Sequence, residues 1–262
     1  MGLLDGKVAF IFGVANHRSI AWGIAKELHA HGATIALSIF NEDLRRRVEP
    51  LAEEVGCDFI ETCDVNNDDA IDAVFEKFKE RYGQLDVLVH SIGFAPREAL
   101  GGRFIDIKRE DFKLTLESSA YSLVALAKRA EPLMSEGGSI MSMTYYAAEK
   151  YIPDYNAMAI AKSALEACTR YMAVDMGHKQ IRVNAISAGP IKTLAAAGIP
   201  GFRGLLKHFD AVAPLGKTVT VEDVGKTAVY LASDLSRMVT GEIIYVDSGY
   251  QVLGITSPRD EM

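Results

Sequence analysis

The chain has 262 residues, 49% hydrophobic and 24% charged, the balance of an ordinary folded domain and not of a disordered segment. Its 35 acidic side chains outnumber 28 basic ones, for a net charge of −7, which excludes a chain-wide basic footprint for nucleic acid. Three cysteines, Cys57, Cys63 and Cys168, fit neither an even disulfide framework nor a metal-ligand spacing, so reduced thiols in the cytoplasm and no metal are expected.

In chain order, short apolar runs alternate with longer helical patterns. A buried strand is expected over 8–12 and a helix over 20–31, then a strand over 35–39 and a helix over 43–55. Arg45-Arg46-Arg47 in that helix is flanked by Glu42, Asp43 and Glu49 and reads as a solvated face. A strand over 59–63 and a helix over 68–82 follow, then a strand over 87–90 and one long helix over 111–134. Strands over 139–143, 181–186 and 243–246, with helices over 155–177 and 222–231, complete the pattern. Gly32, Gly56, Gly83 and Gly177 stand where C-terminal helix caps belong. The stretch 187–220 has no clear strand and is read as a functional loop. No apolar run reaches membrane-spanning length.

Continuous apolar strands are expected where helices cover both faces of a parallel sheet. Strand–helix alternation implies βαβ units with right-handed crossovers. The fold class that follows is α/β: a single domain over 1–262, with a Rossmann-type doubly wound parallel sheet of about seven strands and helices on both faces.

In such sheets ligands bind at the C-terminal ends of strands. The first strand ends at Phe12, and Gly13-Val14-Ala15-Asn16-His17-Arg18 leads to a helix starting near Ser19-Ile20. A turn of this kind offers backbone N–H groups and a helix dipole to a dinucleotide pyrophosphate, although the glycine spacing is not G-x-G-x-x-G. Gly13, Ala15, Ser19 and Ile20 are therefore candidate cofactor contacts, with Ser19 also a suitable N-cap. Asp64-Val65 follows the third strand, where a carboxylate can meet the adenine amino group. Ser91-Ile92-Gly93 follows the fourth and lets backbone approach the cofactor, and Ile191 and Thr193 follow the sixth. Phe40 ends the second strand where an acidic or basic residue often reads the ribose. Glu42 and Asp43 just beyond it disfavour an extra phosphate, so NADH is expected over NADPH.

After the fifth strand come Tyr145-Tyr146 and then Tyr155-Asn156-Ala157-Met158-Ala159-Ile160-Ala161-Lys162. Short-chain dehydrogenases place a tyrosine four residues before the lysine, and here that position is Met158. Tyr155 lies seven before Lys162, about two helical turns, so the two share a face. This spacing, Gly13…Ser19-Ile20-Ala21-Trp22-Gly23, His90-Ser91-Ile92-Gly93-Phe94-Ala95-Pro96, and Ser187-Ala188-Gly189-Pro190-Ile191-Lys192-Thr193 together closely resemble bacterial NADH-dependent enoyl-acyl-carrier-protein reductases. The resemblance runs from Gly6 to about Gly249.

That resemblance implies reduction of the C2–C3 double bond of a trans-2-enoyl thioester on acyl carrier protein, in fatty acid biosynthesis, by a cytoplasmic homotetramer. It implies that Tyr155 hydrogen-bonds the thioester oxygen and that Lys162 binds the nicotinamide ribose and favours a nearby tyrosinate. Tyr145 is implied as a second catalytic tyrosine lining the acyl pocket. Phe94, Ala95, Met158, Ala195, Ile199, Phe202 and Leu205 would form the apolar substrate wall, and 194–206 the substrate loop. Of the basic residues expected beside the portal for an acidic carrier protein, Arg203 and Lys207 are present. Tyr146, Tyr151 and Tyr171 read as structural, His90 as a core or supporting histidine, and His17 as exposed. A short-chain carbonyl reductase and a non-catalytic nicotinamide sensor stay open as alternatives; the first predicts Tyr-x3-Lys, and the second has no need of Tyr155 with Lys162.

Overall fold

The computed structural model describes residues 2–194, 196 and 201–256. Seven strands form one sheet: β1 (Val8–Phe12), β2 (Thr34–Ile39), β3 (Ile60–Thr62), β4 (Val87–His90), β5 (Gly138–Thr144), β6 (Ile181–Ala188) and β7 (Ile243–Val246). All pairings are parallel, in the order β3-β2-β1-β4-β5-β6-β7. The helices are α1 (Ile20–Ala30), α2 (Arg45–Glu54), α3 (Asp68–Tyr82), α4 (Arg109–Leu116), α5 (Ser122–Ala130), α6 (Asn156–Gly177), α7 (Phe202–Val212) and α8 (Val221–Ala232).

Alternation along β1 divides the core. Ala9 and Ile11 face α1, α2 and α8, whereas Phe10 and Phe12 face α3, α5 and α6. Trp22 is buried in the first cluster, where it packs α1 on the sheet. In the second, Phe10 stacks on Phe78 of α3 with centroids 4.6 Å apart. Burial on both faces explains why the strands read as unbroken apolar runs.

Three expectations about local structure need correction. The helix expected over 111–134 is interrupted: α4 passes into a π-helical turn at Glu117–Tyr121 before α5 begins. The stretch 187–220 contains a full helix, α7, whose Leu206, Phe209 and Val212 are buried. Gly32, Gly56 and Gly83 do take positive φ after their helices, but Gly177 stays inside α6, and the left-handed turn falls on Gln180 at φ 59°. The start of α8 is fixed by a capping box between Thr220 and Asp223.

The strand order reverses between β1 and β4, since β2 and β3 extend the sheet one way and β5 to β7 the other. Loops leaving β1 and β4 therefore diverge and leave a crevice at the carboxyl ends of the strands.

Candidate active site

That crevice opens into a cavity of about 1420 Å³. Its first wall is the turn after β1. Gly13 has φ 108°, and a Cβ there would fall 2.1 Å from the Ser91 carbonyl oxygen, so this turn lies directly on the end of β4. Ser19 is the N-cap residue of α1, as expected, but its side chain makes no capping hydrogen bond. Its hydroxyl accepts instead from the Ala15 and Asn16 N–H groups at 3.0 and 3.1 Å, which folds the turn back on itself. Gly13, Ala15, Ser19, Ile20, Phe40, Asp64, Val65, Ser91, Ile92, Gly93, Ile191 and Thr193 all line this one cavity.

At its other end α6 supplies Met158 and Lys162, Tyr155 stands at its N-cap, and β5 leads into Tyr145. The rings of Tyr145 and Tyr155 meet edge to face with centroids 5.1 Å apart. Lys162 is 6% exposed and donates to the Met143 carbonyl at 2.8 Å and, at 3.5 Å, to the Ile92 carbonyl. An ammonium has three donors, so one is left for a ligand in the cavity. Burial lowers the Lys162 pKa to about 8, against the opposing pull of Glu166. Burial, then the neighbouring Tyr145, raises the Tyr155 pKa above its ordinary value. Lys162 is not among the causes of that shift, and desolvation keeps Tyr155 a phenol and a donor.

Phe94, Ala95, Phe202 and Leu205 line the same cavity. Ala195 and Ile199 lie outside the described residues. Leu100, Ile152, Pro153, Ala196 and Tyr250 line it as well and were not expected. Tyr151 was read as structural, yet it is 83% exposed and borders the cavity. Tyr250 follows β7 and stacks on Phe209 of α7, with centroids 4.4 Å apart. Only the fold brings that C-terminal residue to the site.

The π-helical turn has a use here. Ser119 donates to the Phe94 carbonyl and accepts from the Phe94 N–H, both at 2.9 Å. Ser118 donates to Asn66 beyond β3, and Ser122 lies 2.7 Å from His90 Nε2. The wider turn thus directs two hydroxyls, of Ser118 and Ser119, at the loops that wall the cavity, and Ser122 at the start of α5 meets the end of β4. Asn156, next to Tyr155, donates to the Gly101 and Gly102 carbonyls at 3.1 Å each and ties α6 to the loop after β4.

His90 is fully buried beside this site, and burial, then the Lys162 charge, lowers its pKa from 6.5 to about 3. Its folded pKa lies below its unfolded one, so the unfolded chain binds the extra proton first as pH falls. Stability is expected to decline from about pH 6.5 towards pH 3, and a thermal-denaturation series on H90N should show a shallower decline than the parent.

The residues fit a dinucleotide on two grounds. Ser38 Oγ, at the end of β2 in the cavity lining, is buried without a partner, as an acceptor or donor awaiting a ligand would be. Gly93 leaves the Lys162 ammonium open, since a Cβ there would lie 3.5 Å from Nζ. Glu42 and Asp43, expected to disfavour an extra phosphate, stand on the turn after β2. Neither lines the cavity, and Arg45 holds the Glu42 carboxylate through contacts of 2.5 and 3.0 Å. Arg45 is accordingly a paired side chain and not a freely solvated one.

The sequence profile of the family described as enoyl-(acyl carrier protein) reductase matches residues 13–251. The chain belongs to that family. Among its members, the enzyme named enoyl-[acyl-carrier-protein] reductase [NADH] 1 of Rhizobium meliloti (strain 1021) is 54% identical over 254 residues, covering 97% of this chain and 93% of its own. The crystal structure of the Anaplasma phagocytophilum reductase in complex with NAD superposes with a TM-score of 0.94 at 46% identity, covering 98% of each chain. The Bacillus cereus reductase, solved with NADP+ and an indole naphthyridinone, superposes at 0.95 with 47% identity, covering 97% of this chain and all of its own.

Proposed function

We propose that this chain reduces the C2–C3 double bond of trans-2-enoyl thioesters carried on acyl carrier protein, with NADH as hydride donor, in fatty acid biosynthesis. The observation that carries this reading is the placement of Tyr155, at the N-cap of α6, and Lys162, about two turns into it, in one cavity with Tyr145 and the β1 turn. A nicotinamide bound there supplies a hydride to C3 of the substrate. Negative charge then collects on the thioester oxygen, and Tyr155 donates a hydrogen bond to it. Its desolvated phenol keeps the proton for that purpose. Lys162 holds the cofactor ribose with its free donor, and Tyr145 braces the Tyr155 ring. The turn Gly13 to Ile20 holds the pyrophosphate, while Phe40, Asp64 and Val65 flank the adenosine and Ser91, Ile92, Gly93, Ile191 and Thr193 the nicotinamide half. Phe94, Ala95, Met158, Phe202 and Leu205 form the acyl wall, the last two from the first turn of α7.

Arg203 and Lys207, both exposed on α7, suit an acidic carrier protein. Tyr171 and Val174 on α6 are 77% and 81% exposed, an apolar face that supports assembly as a homotetramer. No described helix is long and apolar enough to cross a membrane. The unpaired cysteines are in keeping with a cytoplasmic setting for the whole chain as one catalytic unit.

The test is loss of NADH absorbance with crotonyl-CoA, run beside NADPH and beside acetoacetyl-CoA. Oxidation of NADH by the enoyl substrate supports the reading, and oxidation only by the keto substrate moves the chain to carbonyl reduction. Replacing Lys162 with Ala should weaken NADH binding at least about tenfold, the loss expected for a hydrogen bond from a charged group. Fluorescence titration measures it, and an unchanged dissociation constant removes Lys162 from the ribose site.

A further inference from the structure

One buried acid beneath the site has no part in the mechanism above. Glu166 lies one turn beyond Lys162 on α6 and is only 7% exposed. It accepts a hydrogen bond from Thr144 Oγ1 at 2.7 Å. Thr144 is the last residue of β5 and immediately precedes Tyr145. Adjacent residues of α6 hold the same strand end: Lys162 donates to the Met143 carbonyl at 2.8 Å, and Ser163 donates to the Ala148 carbonyl at 2.7 Å. Tyr145 is therefore suspended between anchors at Met143, Thr144 and Ala148, and the Thr144 anchor ends on a carboxylate.

A carboxylate is a costly choice for a purely mechanical anchor, because a neutral amide could accept the same hydrogen bond with a much smaller desolvation penalty. What it adds is negative charge one turn from a buried ammonium, where i and i+4 side chains are neighbours. The charged and titratable groups around Glu166 are Glu149 on the turn after β5, and Lys162 and Arg170 on α6. Glu149 in turn accepts from Tyr245 of β7, and His90 of β4 faces Lys162 and is neutral.

We propose that Glu166 is a positioning residue for the reduction: it anchors the strand end that carries Tyr145, and its buried charge holds Lys162 in the ammonium form that grips the cofactor. The proposal rests on the assignment of Lys162 to cofactor binding. Burial already lowers the Lys162 pKa to about 8, and Glu166 is the group that opposes the fall. Without that charge, Lys162 loses its proton at lower pH, and with it the hold on NADH.

Three variants separate the two roles. E166Q keeps an oxygen for Thr144 and removes the charge. Its NADH affinity, followed by fluorescence from pH 6 to pH 9, should match the parent near pH 6 and fall off at a pH about one unit lower. The basic limb of kcat/KM should move with it. T144V keeps the charge and removes the hydrogen bond, so kcat should fall with the basic limb in place. E166D keeps the charge but withdraws it by one methylene from Thr144. It should behave like T144V, and it serves if E166Q does not fold. An E166Q profile superimposable on the parent, a uniform loss of affinity at every pH, or a shifted limb in T144V or E166D would overturn the proposal. The NADH titration needs no turnover, so it judges Glu166 even if the parent chain fails to reduce crotonyl-CoA.

Discussion

Replacing Tyr155 with Phe is expected to lower turnover of an enoyl thioester by about 10²–10³-fold, the usual loss for one donor aimed at developing charge. NADH affinity should stay near the parent value. The ring keeps its edge-to-face contact with Tyr145, so the change removes a hydroxyl and little packing. Before hydride transfer the thioester oxygen carries little charge and the hydrogen bond contributes modestly. Afterwards the oxygen is an anion in a site walled from water, where the same bond counts for far more. The deficit should thus appear in kcat more than in KM. Stopped-flow loss of NADH absorbance with crotonyl-CoA measures the first quantity and fluorescence titration the second. Unchanged turnover would remove Tyr155 from the reaction.

The second large effect is expected from Gly13→Ala. The methyl would meet the Ser91 carbonyl at 2.1 Å, a distance no side-chain carbon tolerates, at a φ of 108° that L-residues rarely adopt. Strain at such a backbone conformation costs about 1–3 kcal/mol. Overpacking against immobile backbone costs about 1–3 kcal/mol more. Relief requires the turn after β1 to lift off the end of β4, which moves Ala15 and Ser19 away from Ile92 and Gly93. The expected outcome is a melting temperature lower by about 10 °C, with NADH binding lost or severely weakened. Differential scanning calorimetry with and without NADH checks both. A parent-like melting point that rises normally with NADH would show that the close approach is dispensable.

Much of this architecture was legible because the strands announce themselves. Runs such as Val8–Phe12 are apolar at every position, since helices cover both faces of the sheet. The ends of those strands then pointed to the cavity, and Tyr155 and Lys162 stood out through their spacing after the fifth strand together with the resemblance to the reductase family. What escaped was non-local or aperiodic. The π-helical turn at Glu117–Tyr121 shifts the helical phase by only a fraction of a turn, which leaves no gap in the hydrophobic pattern. The bond between Ser119 and Phe94 joins segments far apart in sequence and has no local signature. Helix α7 could have been found: Phe202, Leu205, Leu206, Phe209 and Val212 follow helical periodicity. The irregular stretch before it, and Gly204 within it, obscured that pattern. Ser19 is a different lesson, because a residue suited to capping a helix spends its hydroxyl on the preceding loop.

The strand order also bears on how the chain is made. β2 pairs with β1, β3 with β2, β4 with the other edge of β1, and β5, β6 and β7 each with the strand before. Each strand after the first therefore leaves the ribosome when its neighbour already exists. At about 5–20 residues per second, synthesis allows seconds between strands. The seat for the dinucleotide, between the β1 turn and the end of β4, can close before Tyr155 and Lys162 have been translated. A nascent chain arrested after β4 would display that strand's outer edge unpaired, a template for aggregation until β5 arrives.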